Sequence, residues 1–333
     1  MSTAAANFDR RARPIDGFVS WARRNAWTLG LLGLLAALLV FTKLIQASYG
    51  VTGVQGLAIS VLPLALAAVG QAIVVISGGI DLSIGSMMAL TNVVAAVIMN
   101  GQSEEFGVVV VVGVLLLGLL LGAINGGLIV LTRVPDIVVT LAMSFVWAGC
   151  ALLVLKVPGG GSALWLTNLV LGSLGNEWIP KAAVALLLVV GLIWIPVRRS
   201  RLGLSLYGIG SNQLAAFRSG VSVGRTKVVA YSLMGLFSAL AGLSITASTG
   251  VGLPVPGPYT LQSIAAIVLG GVSLAGGRGG IFGPLVAVVI LSLLRTDMTF
   301  LNLNSNFATV AQGIILIGVV MVGTLVRFRE RRA

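Results

Sequence analysis

The sequence predicts an all-α, polytopic integral membrane protein with about ten transmembrane helices, and two observations predict this fold class. Of the 333 residues, 57% are hydrophobic and only 9% are charged, whereas a soluble domain is about a quarter charged. The charges are grouped between long apolar stretches, and residues 228–277 contain no Asp, Glu, Lys or Arg. Because about 20 apolar residues cross the hydrocarbon core as a helix, each apolar stretch is predicted to be a transmembrane helix.

Ten apolar stretches, taken in order, are predicted to be the spans. The first follows a basic segment, residues 1–26, and no clear cleavage site follows it, so we expect a retained helix rather than a signal peptide. The sixth is short, and the long connections 157–180 and 198–227 lie on either side of it. A basic tail, residues 327–333, follows the transmembrane domain 27–326. The spans are 27–45, 54–77, 84–99, 107–131, 137–155, 182–197, 228–248, 261–276, 281–294 and 307–326.

The distribution of basic residues predicts the orientation. If the N-terminus lies inside and ten spans are threaded, 17 of the 21 Lys and Arg fall inside. Cytoplasmic loops of membrane proteins carry an excess of Lys and Arg, so both termini are predicted to be cytoplasmic. The same rule accounts for the net charge of +12, and we therefore expect a lipid bilayer rather than nucleic acid as the partner. The four outside are Lys43, Lys156, Lys181 and Arg295.

The sharpest polar motif, Ser-Gly-Gly-Ile-Asp-Leu-Ser-Ile-Gly-Ser, follows the second span. Gly78 and Gly79 can end a helix, since glycine adopts positive φ without a steric penalty. Asp81 and Ser83 would then cap the next helix by accepting hydrogen bonds from its free N–H groups. A carboxylate within a membrane costs about 2.5–3.5 kcal/mol, which favours a functional role. Three roles are open for Asp81: a simple cap, a cap with a gating role, or direct contact with substrate or ion.

An internal repeat accompanies this motif. Residues 78–85 align with residues 270–277, and the double glycines, the leucine and the final glycine, Gly85, coincide. Both copies follow a span that runs inward, so the repeat is parallel, as in transporters whose pathway lies between two halves. A chance match in a chain with 44 Gly is the alternative. The second copy adds candidate gating residues at Gly270, Gly271 and Ser273.

The connection 198–227 contains a predicted short amphipathic helix. Ser211 or Asn212 can cap it, and Gly220 can end it. Leu214 and Phe217 share one face at a spacing of three residues, which favours either a partner surface or lipid headgroups. The candidate coupling residues are Gly210, Ser211, Asn212, Leu214, Ala215, Ala216, Phe217, Arg218 and Gly220.

Several kinds of chemistry lack their residues. No Lys follows a Gly, so there is no P-loop, and without His there is no His-bearing triad or Cys/His metal set. The single cysteine, Cys150, forms no intrachain disulfide. Apart from Asp81, the carboxylates lie near span ends, which is a poor basis for an ion-coupled carrier. We therefore expect no catalytic, cofactor or metal site in this chain.

From the second span to the tenth, the chain resembles the permease subunits of bacterial sugar importers of the ATP-binding-cassette class, in the ribose-type group. The resemblance adds Asn125 to the candidate gating residues. It departs from the family at Asp136, where the family usually has Phe, and at Thr260 and Gln262, where it usually has an acidic pair. The blocks that carry it are 78–86, Asn125-Gly126, 135–143, 208–212 with Ala215-Ala216, and 264–274.

The resemblance implies a multi-pass protein of the bacterial inner membrane that moves a sugar, a monosaccharide in this group, by alternating access. It implies a homodimer or a pair of similar permeases, a periplasmic binding protein, and a separate ATPase that binds ATP and docks on the loop 198–227. Three alternatives are open. One is a permease for branched-chain amino acids or nucleosides, the second an ion-coupled carrier, and the third a membrane enzyme or scaffold.

Overall fold

The computed structural model describes residues 26–303 together with Phe307, Val310, Gly313 and Ile314. The predicted basic segment, the basic tail and almost all of the tenth span lie outside these residues. The elements are α1 (Ala26–Ile45), α2 (Val51–Ile76), α3 (Ile84–Met99), α4 (Glu104–Thr132), α5 (Asp136–Val154), α6 (Leu164–Val170), β1 (Ser173–Leu174), β2 (Asn176–Pro180), α7 (Lys181–Arg199), α8 (Arg201–Ser211), α9 (Gln213–Arg218), α10 (Val223–Thr249), α11 (Tyr259–Leu269) and α12 (Phe282–Phe300).

Seven of the described helices are long and apolar enough to cross a membrane: α1, α2, α4, α5, α7, α10 and α12. A polytopic helical membrane protein is thereby confirmed, whereas the count of ten spans stays a prediction. The predicted eighth span, 261–276, is wrong in length. The corresponding helix α11 has 11 residues, and at 1.5 Å per residue it covers about 16 Å, about half of the hydrocarbon core.

Two helices, α2 and α10, form the buried centre of the fold. The side chains of α2 are buried without interruption from Val61 to Ile76, and α10 packs against α2, α3 and α4. By contrast, α1, α5 and α7 expose most of their apolar side chains, as helices that contact lipid do. The fold therefore places its core on the second and seventh predicted spans.

The backbones of α4 and α10 approach each other closely along a stripe of glycines on α4. Gly118, Gly122 and Gly126 recur every four residues on α4, and a Cβ at each would press on the α10 backbone or the side chain of Ala239 or Tyr231. Such small-residue stripes allow membrane helices to pack closely. This stripe explains part of the high glycine content that the composition shows.

The connections fall at two ends of the helix bundle. At one end, which we call the hairpin end, the strands β1 and β2 pair antiparallel, and Gln55 donates to the carbonyl of Glu177. At the other, the α8–α9 end, Tyr207 donates to the carbonyl of Gly279. Within the described residues, the loops assigned to one side of the membrane by the charge pattern thus meet one another.

The connection 198–227 contains two helices, α8 and α9, rather than the single predicted one. The side chain of Asn212 caps α9 by accepting from the amide of Ala215 at 3.0 Å, as predicted, and Gly220 follows the helix with φ of 84°. Ser211, the alternative cap, is instead the last residue of α8. The Tyr-Gly-Ile-Gly stretch continues as helix because its apolar side chains pack inward, with Leu206 and Ile209 buried.

Candidate functional site

The first helix break lies at the α8–α9 end of α2. The amide of Gly78 donates to Val75 and that of Gly79 donates to Val74 at 3.0 Å, while Gly78 has φ of 84°. This pattern is a Schellman turn, which satisfies the last carbonyls of the helix and needs a left-handed residue. The predicted role of the double glycine as a helix terminator is confirmed.

The second break, after α11, repeats the same turn. The amide of Gly271 donates to Val268 and that of Val272 donates to Ile267 at 2.9 Å. Gly271, like Gly78, has φ of 84°. In backbone terms Gly271 therefore corresponds to Gly78, so the sequence alignment that paired Gly78 with Gly270 is wrong by one residue at this point.

The glycine before the second turn serves close packing. A Cβ at Gly270 would overlap the backbone of Gly283 and Pro284, where α12 begins. The indole of Trp27 donates to the carbonyl of Leu269 at 2.9 Å, so α1 contributes to the end of α11. Ser273, the remaining candidate of this copy, accepts from the Gly276 amide through its carbonyl and donates from its own amide to Arg278.

A buried polar cluster surrounds Asp81, whose side chain is fully buried. One carboxylate oxygen accepts from the amide of Ser83 at 2.6 Å and from its hydroxyl at 2.7 Å. Asn125 of α4 donates to the other oxygen at 3.2 Å and to the Ser83 hydroxyl at 2.8 Å. The indole of Trp147 on α5 completes the cluster by donating to Asn125. Asp81, Ser83 and Asn125 thus meet, as the sequence analysis grouped them.

The predicted cap of α3 is only partly correct. Ser83 does occupy the N-cap position of α3, but its side chain makes no capping hydrogen bond. Its hydroxyl instead donates to Asp81, because that buried carboxylate needs donors and, among the described residues, no Lys or Arg lies within salt-bridge distance of it. Asp81 therefore stabilises the segment between α2 and α3 by accepting hydrogen bonds from within it and from α4.

Hydrogen bonds from other helices hold the break. The hydroxyl of Thr140 on α5 accepts from the amide of Leu82 at 3.1 Å. The hydroxyl of Thr260 on α11 accepts from the amide of Gly85 at 3.0 Å, and a Cβ at Gly85 would collide with it. Thr260 occupies a position where an acidic residue is usual in the ribose-type family, and here its hydroxyl ties α11 to α3.

Asp136 and Lys227 were not predicted as site residues. Lys227 lies 3.4 Å from the carboxylate of Asp136, and the hydroxyl of Tyr231 donates to the same carboxylate at 3.0 Å. A Cβ at Gly79 would meet both this carboxylate and this hydroxyl. Where the family pattern usually has Phe, this chain therefore has Asp136, which forms a salt bridge packed against the break. The signal available in the sequence was the opposite charge of Lys227, 91 residues away.

Three glycines from separate segments meet at the α8–α9 end: Gly78 of the first break, Gly276 after the second, and Gly210 of α8. A Cβ on Gly276 would collide with Gly78 and Gly210, and a Cβ on Gly210 would overlap the carbonyl of Ile76. The amide of Gly277 donates to that carbonyl at 2.9 Å. We call this contact the glycine junction, and it joins both helix breaks to α8.

A second contact ties α8 to the loop after α11. The hydroxyl of Tyr207 donates to the carbonyl of Gly279 at 2.8 Å. Burial raises the pKa of Tyr207 above its usual range, an effect that Arg198 partly offsets. The hydroxyl therefore stays protonated at neutral pH and is available as the donor.

The predicted coupling helix α9 presents its large apolar side chains to the outside. Leu214 is 59% exposed and Phe217 is 66% exposed, whereas Ala216 is 7% exposed. Gln213 and Arg218 are also exposed. The face of α9 that carries Leu214 and Phe217 is therefore free within the described part of the chain, and Ala216 belongs to the packing beneath it.

A cavity of about 460 Å³ lies at the hairpin end between α2, α10, α11 and α12. None of the candidate gating residues lines it, so the gating cluster and the cavity are separate. Within the described residues there is no group of three or more His, Cys, Asp or Glu side chains that could hold a metal ion.

Helix breaks within a bundle of apolar helices, one of them organised around the buried Asp81, are typical of multi-pass transport proteins. A family model described as branched-chain amino acid transport system / permease component matches residues 53–325. The chain belongs to this permease family.

Curated relatives extend the comparison. The chain is 34% identical over 266 residues to the ribose import permease protein RbsC of Escherichia coli K12, covering 78% of this chain and 81% of that protein. It is 35% identical to RbsC of Bacillus subtilis 168, covering 77% and 80%. It is 29% identical to the D-allose transport system permease protein AlsC of Escherichia coli K12, covering 78% and 80%. No solved structure matches the chain.

Proposed function

We propose that this chain is the transmembrane permease subunit of an ATP-driven sugar importer, with a monosaccharide such as ribose as substrate. The relatives named for ribose and allose transport support a sugar. The observation that carries the proposal is the glycine junction. Because α8 contacts both helix breaks there, a movement of α8 would displace both of them.

The mechanism follows from this contact. The sequence has no P-loop, so in this proposal a separate ATPase binds ATP and docks on the exposed face of α9. Movement of α9 and α8 is transmitted at Gly210 to the ends of α2 and α11. Asp81, Ser83 and Asn125 keep the first break in one defined geometry, so that it moves as a unit. The pathway then alternates between its two sides, and a ligand that binds one state more tightly than the other makes the cycle directional.

The assembly has further members. A second copy of this permease, or a similar permease, completes the transmembrane unit, and a periplasmic binding protein delivers the sugar at the hairpin end. Both the break residues (Gly78, Gly79, Asp81, Ser83, Gly85, Asn125, Gly270, Gly271, Ser273) and the α9 residues act within this assembly. No cofactor is required in this chain.

The coupling contact is tested by Phe217→Ala. Loss of a large aromatic anchor from an interface commonly weakens binding by about 2 kcal/mol, which is roughly thirtyfold. We expect less ATPase to co-purify with the variant and substrate-stimulated ATP hydrolysis to fall in liposomes that contain the binding protein. Phe145→Ala is the matched control, because Phe145 is 72% exposed on α5, away from α9.

Wild-type ATPase association and turnover in Phe217→Ala would exclude α9 as the docking site. Equal losses in both variants would attribute the defect to general destabilisation. Ala216 is unsuited to this test: because it is buried, a Trp there disrupts the packing of α9 before it reaches the partner.

A further inference from the structure

Three arginines lie close together where α7 meets α8. Arg198 and Arg199 end α7, and Arg201 begins α8. Ser200, between them, caps α8 by accepting from the amide of Leu202 at 3.2 Å. All three arginines are exposed. We call them the arginine corner, and they place three positive charges together at the α8–α9 end of the bundle.

The arginine corner has no anionic partner in the part of the chain that the structure describes. The connection 198–227 carries six basic residues and no Asp or Glu. Of the carboxylates near this end, Asp81 is buried and Asp136 pairs with Lys227. Guanidinium groups bind phosphate oxygens through pairs of parallel hydrogen bonds. A phosphate from outside the chain would therefore find three free guanidinium groups at this corner.

The face of α7 that leads to the corner is apolar and exposed. Leu188, Leu192 and Ile195 are 58%, 74% and 49% exposed. With about 3.6 residues per turn, Arg199 lies within about 40° of each of them around the helix axis. The strip from Leu188 to Arg199 is about 16 Å long, which is about half of the hydrocarbon core. Its length therefore matches the depth of one membrane leaflet, with a positive charge at the end.

The first turn of α8 continues this surface. Leu204, three residues after Arg201, is 76% exposed, whereas Gly203 and Leu206 are buried. A Cβ on Gly203 would overlap the carbonyl of Val197, so the start of α8 packs directly on the end of α7. An exposed leucine beside an arginine is typical of helices that lie at a membrane interface. The corner thus lies where headgroups meet acyl chains.

We propose that the arginine corner is a binding site for an anionic phospholipid. The phosphate contacts the three guanidinium groups, and the acyl chains lie along the Leu188–Leu192–Ile195 strip of α7. A soluble phosphate would leave this strip uncovered, and a lipid without net charge would leave the positive charge of the corner unbalanced. The inference depends only on the chain being a multi-pass membrane protein, so it does not rest on the proposed transport of a sugar.

The first test removes the three charges. The corner variant changes all three residues of the arginine corner to Gln. The control variant carries Arg133→Gln, Arg225→Gln and Arg278→Gln, at exposed positions in separate segments. The purified permease is titrated with phosphatidylglycerol, and lipid adducts are counted by native mass spectrometry. Each basic residue near an anionic surface strengthens binding about fivefold, so we expect the corner variant to bind roughly a hundredfold more weakly.

The control variant should bind phosphatidylglycerol as the wild type does. Because both variants lose three charges, a difference between them reports the site rather than the net charge. Phosphatidylcholine, which has no net charge, should bind the wild type and both variants equally. Equal affinity of the wild type and the corner variant for phosphatidylglycerol would refute the site. Equal losses in the corner and control variants would refute it too, since binding would then follow net charge alone.

The second test keeps the arginines, so it does not depend on the folding of the corner variant. Leu192 is replaced by the photo-crosslinker p-benzoylphenylalanine, and the permease is illuminated in vesicles of equal parts phosphatidylglycerol and phosphatidylcholine. We expect about fivefold more phosphatidylglycerol than phosphatidylcholine to be captured, because the arginine corner holds the anionic headgroup beside this position. Phe145, exposed on α5, is the control position and should capture both lipids equally. Equal capture at position 192 would overturn the proposal, and so would capture of a second permease copy or of an ATPase, because the strip would then be a protein interface.

Discussion

At the scale of single residues, Asp136 links two helices, α5 and α10, through one carboxylate. It begins α5, and Lys227 and Tyr231, one turn apart on α10, both contact it. Asp136 and Lys227 are each 15% exposed in their side chains, so removal of either leaves a largely desolvated charge. Breaking a partly buried pair of this kind is destabilising, because the remaining charge loses its partner.

This pair gives a double-mutant prediction. Asp136→Phe, which restores the residue usual in the family, and Lys227→Met should each lower the melting temperature of the permease. The double variant should recover part of the loss, with a coupling of about 1 kcal/mol or more. Thermal unfolding of the purified protein in detergent measures all four members. Strictly additive losses would show that the pair contributes no interaction energy.

Which site residues the sequence predicts depends on how local their partners are. Asp81 and Ser83 could be found because both lie beside the double glycine. Thr140 and Tyr231 could not, since the hydrogen bonds that hold the break join residues 58 and 151 positions apart in the chain.

At the scale of elements, apolar runs located most helices well, while helix ends followed capping chemistry. The third predicted span, 84–99, matches α3 without change. The fourth extends to Glu104 because Ser103 caps it by accepting from the Phe106 amide. The eighth fails because its apolar run continues past Gly270, whereas the Schellman turn ends α11 at Leu269. Hydropathy reports burial in lipid, not helix termination.

The glycine junction is tested by Gly210→Ala. Its Cβ would overlap the Ile76 carbonyl and crowd the Gly277 amide, so α8 must shift away from both breaks. We expect ATP hydrolysis to continue while uptake per ATP falls about tenfold, because transmission is lost before docking is. The matched control is Gly208→Ala on the same helix, whose Cβ would meet only Ala216, at 4.0 Å. Equal uptake per ATP in the two variants would show that the glycine junction does not transmit the movement.

At the scale of the whole molecule, the distribution of basic residues and the contacts between loops divide the loops into the same two groups, one at each end of the helix bundle. Gly159 pairs with Gly252 at the hairpin end, and Trp165 donates to Glu104 there. At the other end Gly277 contacts Ile76 and Ser211. Of the loops involved, those with few basic residues lie at the hairpin end, and the basic connection 198–227 lies at the other. The positive-inside rule therefore predicts that the α8–α9 end faces the cytoplasm.

This assignment predicts the labelling of two matched glutamines, Gln102 at the hairpin end and Gln213 at the α8–α9 end, both exposed. In a Cys150→Ala background, a membrane-impermeant maleimide added to intact spheroplasts should label Gln102→Cys. It should label Gln213→Cys only after permeabilisation, because the bilayer lies between the reagent and the thiol. Since both side chains are solvent-exposed in the fold, a difference in labelling reports sidedness rather than burial. The reverse pattern would show that the membrane orientation is inverted, and α9 could then not contact a cytoplasmic ATPase.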